Sequence, residues 1–133
     1  MIDFTENGKS NQGNPIFEAD PQNYWERERV GACSVFKQNG WYYMSYIGYE
    51  DIHKASTCLA RSRDGITGWE RHPQNPILST GYSGEWDCEA VYKATMVYDR
   101  QNDQWMLWYN GGTRGIEFVG LAIKHGEDLE FDS

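Results

Sequence analysis

The hydrophobic pattern is densest between Trp86 and Gly111, in WDCEAVYKATMVYDRQNDQWMLWYNGG. Residues 91–98 mix β-branched and aromatic side chains, residues 99–104 (DRQNDQ) form a polar break, and residues 105–109 (WMLWY) are an apolar run too short for a helix. This predicts a β-hairpin. Its leading end carries Asp87 and Glu89, two residues apart, so on an extended chain both carboxylates point to one side. The same patterning predicts strands at 29–37, 41–47, 56–63 and 66–71, and again at 90–98, 104–109, 117–124 and 129–131. Asn39-Gly40 and Asp64-Gly65 are turn pairs that tolerate positive φ. No long helical periodicity is present.

The two sets of strands are a repeat. Asn14-Pro15-Ile16 returns as Asn75-Pro76-Ile77, and Trp25-Glu26-Arg27-Glu28 as Trp86-Asp87-Cys88-Glu89, both 61 residues later. Residues 42–48 (YYMSYIG) return as 105–111 (WMLWYNG) at 63, and Leu59-Ala60 and Trp69 as Leu121-Ala122 and Phe131 at 62. A four-stranded meander repeated every sixty or so residues is the signature of propeller blades, with a two-sheet sandwich as the alternative. Ile2-Asp3-Phe4 resembles Leu129-Glu130-Phe131. The expected organisation is therefore one all-β domain over 1–133, a partial β-propeller. An outer strand (1–8) precedes two four-stranded antiparallel blades, at about 14–74 and 75–133. Two blades cannot close a ring, which leaves a piece of a longer protein or an assembly. A spare outer strand that pairs with a neighbour's edge points to a homo-oligomer, most simply a dimer.

Composition narrows the partners. The 133 residues suffice for one modest core, and 15% aromatics with 14 glycines suit a turn-rich β protein. A net charge of −8 argues against nucleic acid or an anionic membrane, and is compatible with neutral ligands such as sugars. No apolar run reaches the length of a membrane span, and MIDFTENGKS carries no signal-peptide pattern, so the expected location is cytoplasmic. Cys33, Cys58 and Cys88 follow no metal spacing; they read as buried reduced thiols, or as one disulfide with a leftover thiol. His53, His72 and His125 are scattered, and no glycine-rich phosphate loop precedes a helix. No metal or cofactor is expected.

These motifs resemble the five-bladed β-propeller glycosidases, of the glycoside hydrolase family 43 type and its relatives in families 32, 62 and 130. The likeness rests on Asn-Pro-Ile, on Trp-acid-x-Glu before an inner strand, on YYMSYIG and WMLWYNG, and on LARSRDGITGWERHPQNPIL. It is strongest over Trp86-Asp87, Tyr92-Lys93-Ala94, Val97-Tyr98-Asp99, residues 105–111 and Gly120-Leu121-Ala122, where Ala94 replaces the family's proline. It covers nearly the whole chain but only about two of five blades. The resemblance implies glycoside hydrolysis by three acids at the inner ends of three successive blades, of which this chain offers two ends.

Glycoside cleavage needs two carboxyl groups flanking the scissile bond, one of them protonated. Glu28 and Glu89 occupy equivalent positions before the two inner strands and are the first candidates for an acid/base pair. Asp87 and Glu26 are neighbours able to tune them. The alternative is four solvated carboxylates at strand ends. Asp51, in the loop after the second strand, and Arg114, in the corresponding loop of the next blade, suit contacts to sugar hydroxyls or an ion pair within the loop. Tyr92 and Lys93 alternate, so one of them faces the pocket. Trp25 and Trp86 suit stacking on sugar rings, while Tyr42, Tyr43, Trp105 and Trp108 suit the core between blades. The function classes that remain are a glycosidase, a non-catalytic carbohydrate-binding module and a structural half-propeller.

Overall fold

The computed structural model describes residues 2, 13–79, 90–113 and 115–132. It is all-β, a partial propeller of two antiparallel meanders. The first contains β1 (Arg29–Gln38), β2 (Trp41–Tyr49), β3 (Ala55–Ser62) and β4 (Glu70–Arg71). The second contains β5 (Ala90–Asp99), β6 (Gln104–Thr113) and β7 (Ile116–His125). Among the described residues the sheet ladder passes from one meander to the other at a parallel pair, Ala55 with Ala90. Among the described residues one turn of 3-10 helix, Tyr24–Glu26, is the helical content, and no helix is long and apolar enough to cross a membrane. The predicted outer strand (1–8) lies outside the described residues, apart from Ile2.

The repeat extends to the backbone. Both inner strands bulge at the same place, between Gly31 and Ser34 in β1 and between Tyr92 and Thr95 in β5. The extra residue adopts positive φ in each, Ala32 at 44° and Lys93 at 55°. The Asn39-Gly40 turn has both residues at positive φ, as a tight hairpin requires. Outer strands depart from expectation. β4 is two residues long because Asp64 holds the amides of Ile66 and Thr67, both at 2.8 Å, in a local turn instead of a ladder. Past β4, the Asn75 side chain takes the strand's place. It accepts from Leu59 N at 2.9 Å and donates to Leu59 O at 3.0 Å. Residues 129–131 form no strand: Glu130 turns at φ 61° with its amide on Asp128, while Leu129 and Phe131 plug the core.

Two apolar clusters follow from strand alternation. One lies between the blades, where Tyr43 and Leu59 of the first meet Val91, Met96, Trp105, Leu107 and Tyr109 of the second. Tyr42, expected in the core, is half-buried on the other side of β2, and Trp108, three residues from Trp105, faces outward. The second cluster, on the far face of the first blade, joins Met44, Tyr46, Cys58 and Ala60 to Phe17, Trp25, Val30 and Trp69. Cys58 is buried there as a free thiol, its pKa pushed up to about 12 by burial and the nearby Glu26 carboxylate, whereas Cys33 is exposed. Cys88 lies outside the described residues.

Glu26 locks the segment before β1 onto this face. It is fully buried, and Arg71 clamps it with Nε at 2.9 and 3.1 Å and a second guanidinium nitrogen at 2.6 Å. Tyr46 OH (2.8 Å), Trp25 Nε1 (3.0 Å) and Asp20 N (2.7 Å) complete its shell. Arg71 also reaches Glu18 O and lies 4.4 Å from the Phe17 ring centre. Burial pushes the Glu26 carboxyl up, but the bonds from Arg71, Asp20 and Tyr46 prevail and hold it below its ordinary 4.5. A carboxyl whose folded pKa is depressed contributes stability above pH 4.5 and loses it as the pH falls through the folded value. Glu26→Gln therefore strands a charged, half-buried Arg71 and lowers the unfolding free energy at pH 7 by about 3–5 kcal/mol in urea titrations. It also flattens the acid side of the stability profile below pH 4.5.

Candidate functional site

One row of paired residues crosses both blades. Arg29 pairs with Tyr49, Tyr49 with Ala55, Ala55 with Ala90, Ala90 with Gly112 and Gly112 with Glu117. This row marks one rim. Glu28 precedes β1 there, the 50–54 loop lies between β2 and β3, and the 114–115 connection lies between β6 and β7. In sequence Glu89 immediately precedes β5, as Glu28 precedes β1. Strand order thus gathers residues that are far apart in the chain.

Glu28 is exposed; its amide donates to Tyr49 O at 3.0 Å and its carboxylate lies 3.9 Å from Arg29. Arg29 in turn lies 4.1 Å from the Tyr49 ring centre. Asp51 is exposed and accepts from the amides of His53 at 2.7 Å and Lys54 at 2.8 Å, and these bonds hold its carboxyl below its ordinary range. Glu50 braces the same loop, 3.2 Å from Lys54 and 3.8 Å from Arg27. Lys93 is exposed at the β5 bulge. The bulge sets two residues of β5 against one of β6, which turns the strand's side chains beyond it by one position.

Trp25 is half-buried against the outer cluster of the first blade, its ring edge-on to Tyr24 and its indole nitrogen spent on Glu26. The close approach of its backbone requires Gly48, since a Cβ there would sit 2.6 Å from Trp25 O. Glu26, expected to tune an acid, is instead the buried lock of the fold. Asp87, Trp86, Glu89 and Arg114 lie outside the described residues. No group of three or more metal-ligating side chains is found among the described residues.

Sequence reasoning missed the charge density of this rim, where Arg27, Glu28, Arg29, Glu50, Asp51 and Lys54 share one end of the first blade. The alternation of sign in residues 26–29 (ERER) was its available signal. A cavity of about 410 Å³ lies elsewhere, between the outer edges of the blades, walled by Leu59, Met96, Trp105 and Leu107 of the interblade core. Its charged lining, Lys124 and Glu130, is paired at 3.5 Å. It offers no carboxylate pair for glycoside chemistry.

No family model matches the chain, and no curated protein matches it in sequence. Solved structures do match its shape. A glycosyl hydrolase from Bacteroides ovatus superposes with a TM-score of 0.71 at 13% identity, over 87% of this chain and 37% of its own. A structure from work on family 130 glycoside hydrolases that target beta-1,2 mannosidic linkages in Candida mannan gives 0.70 at 16%, over 87% and 37%. A family 117 glycoside hydrolase from Zobellia galactanivorans gives 0.62 at 16%, over 77% and 33%. The chain thus has the fold of part of a propeller glycoside hydrolase, and spans between a third and two-fifths of the length of these structures.

The loop geometry predicts a local effect for Asp51→Ala. The amides of His53 and Lys54 exchange with deuterium about tenfold faster, while those of β2 and β3 are unchanged.

Proposed function

We propose that the rim of β1 and β5 is a carbohydrate site of glycosidase type, with Glu28 and Glu89 as its acid/base pair. The observation that supports this reading is the continuous row from Arg29 to Glu117, in which the starts of β1 and β5 lie on the same rim with β2 and β3 between them. Acids before two such strands stand where carboxylates can approach a glycosidic bond from neighbouring blades. Asp87, two residues from Glu89, tunes that carboxyl. Asp51, Lys93 and Arg114 meet sugar hydroxyls, and Trp86 offers a stacking face. Trp25 supports the site from behind rather than touching ligand. The fold shared with propeller glycoside hydrolases supports the ligand class, not a particular sugar or linkage.

A second reading, binding without hydrolysis, is favoured by one observation: Glu28 is exposed and its carboxylate is ion-paired with Arg29 at 3.9 Å.

A panel of aryl-glycosides separates the two. Hydrolysis predicts turnover that Glu28→Gln and Glu89→Gln each reduce by about 10²-fold or more. Binding alone predicts no turnover, but calorimetric uptake of an oligosaccharide that Asp51→Ala and Arg114→Ala weaken. No turnover and no uptake across the panel would overturn both.

A further inference from the structure

The outward face of the second blade carries apolar side chains on all three strands, with Thr95 and Asn110 as its polar members. Register places Thr95, Trp108 and Leu121 in one row and Val97, Met106 and Ile123 in the next, with Val119 beyond. Apart from the half-buried Met106, the large apolar side chains here range from 37% exposed at Trp108 to 72% at Val119. The repeat says what kind of surface this is. Val97, Met106 and Leu121 stand where the first blade has Phe36, Tyr43 and Leu59, and those three pack under the second blade. Such a face is built to be covered by a sheet.

We propose that the occupant is a second copy of this chain, its own second blade packed face to face across a twofold axis. A head-to-tail arrangement is closed, because the first blade's complementary face already carries Phe17 and Trp25 behind the Glu26–Arg71 lock. The centre of the open face is uncharged, so two copies that each carry −8 meet where neither presents charge. Along β7 the apolar trio is bracketed by Glu117 and His125, each four residues from Leu121. An antiparallel twofold centred on Leu121 sets Glu117 of one copy opposite His125 of the other, as an isologous interface demands. Covering these side chains removes about 1,000 Å² in total, at the lower limit of specific interfaces, so the dimer is weak and concentration-dependent.

Sedimentation equilibrium over a concentration series tests this. The unmodified chain shows a monomer–dimer equilibrium. Val119→Lys raises its dissociation constant at least about tenfold, because an unpaired ammonium is then buried. Val35→Lys, at an exposed position on β1, leaves the constant unchanged. Circular dichroism confirms that both variants are folded. A chain that stays monomeric at every concentration, or a dimer that Val119→Lys does not weaken, overturns the proposal.

Discussion

The structure depends on how the second blade docks onto the first. At and beside its bulge β5 presents two backbone carbonyls to the first blade, within an apolar interface where an unpaired acceptor is costly. The first blade answers with two hydroxyls: Ser45 Oγ donates to Ala94 O at 3.0 Å, and Thr57 Oγ1 donates to Val91 O at 3.1 Å. Both bonds are buried. Around them Tyr43 and Leu59 meet Val91, Met96 and Leu107, so the polar pairs set the register and the apolar contacts supply the burial. Were β5 shifted by one residue, its apolar set would turn to solvent and both carbonyls would lose their donors. The row from Arg29 to Glu117, and hence the shared rim, follows from this docking.

Much of the fold was legible in the sequence because strand period and turn chemistry are local signals. The repeat of 61–63 residues located both meanders, and the hairpin from 90 to 113 needed only its polar break. What misled were features that one strand cannot report. Trp105 and Trp108 both look like core, yet three positions apart they must face opposite ways, and only Trp105 has a blade to face. The outer strands were overread because residues 66–71 and 129–131 are apolar enough for strands, while Asp64 and Asp128 divert their amides into turns.

The candidate site was legible as a set of positions and not as a set of roles. Glu26 and Glu28 look alike in ERER, two acids on one side of an extended segment. The structure separates them fully, one buried and bonded on every side, the other exposed. The partner that decides this, Arg71, lies 45 residues away, and no local pattern announces it. Glu26 therefore fixes where the chain enters β1, and so fixes where Glu28 stands. A residue expected to tune an acid instead holds the backbone from which Glu28 projects.

The central claim is that the two blades fold as one unit through the interface that Ser45 and Thr57 close. Native-state hydrogen exchange on the amides of β2 and β6 tests it most directly. If the claim holds, the most protected amides of both strands open with the same free energy, and Thr57→Val lowers both together. Exchange of β6 through a separate, cheaper opening that Thr57→Val leaves untouched would contradict it.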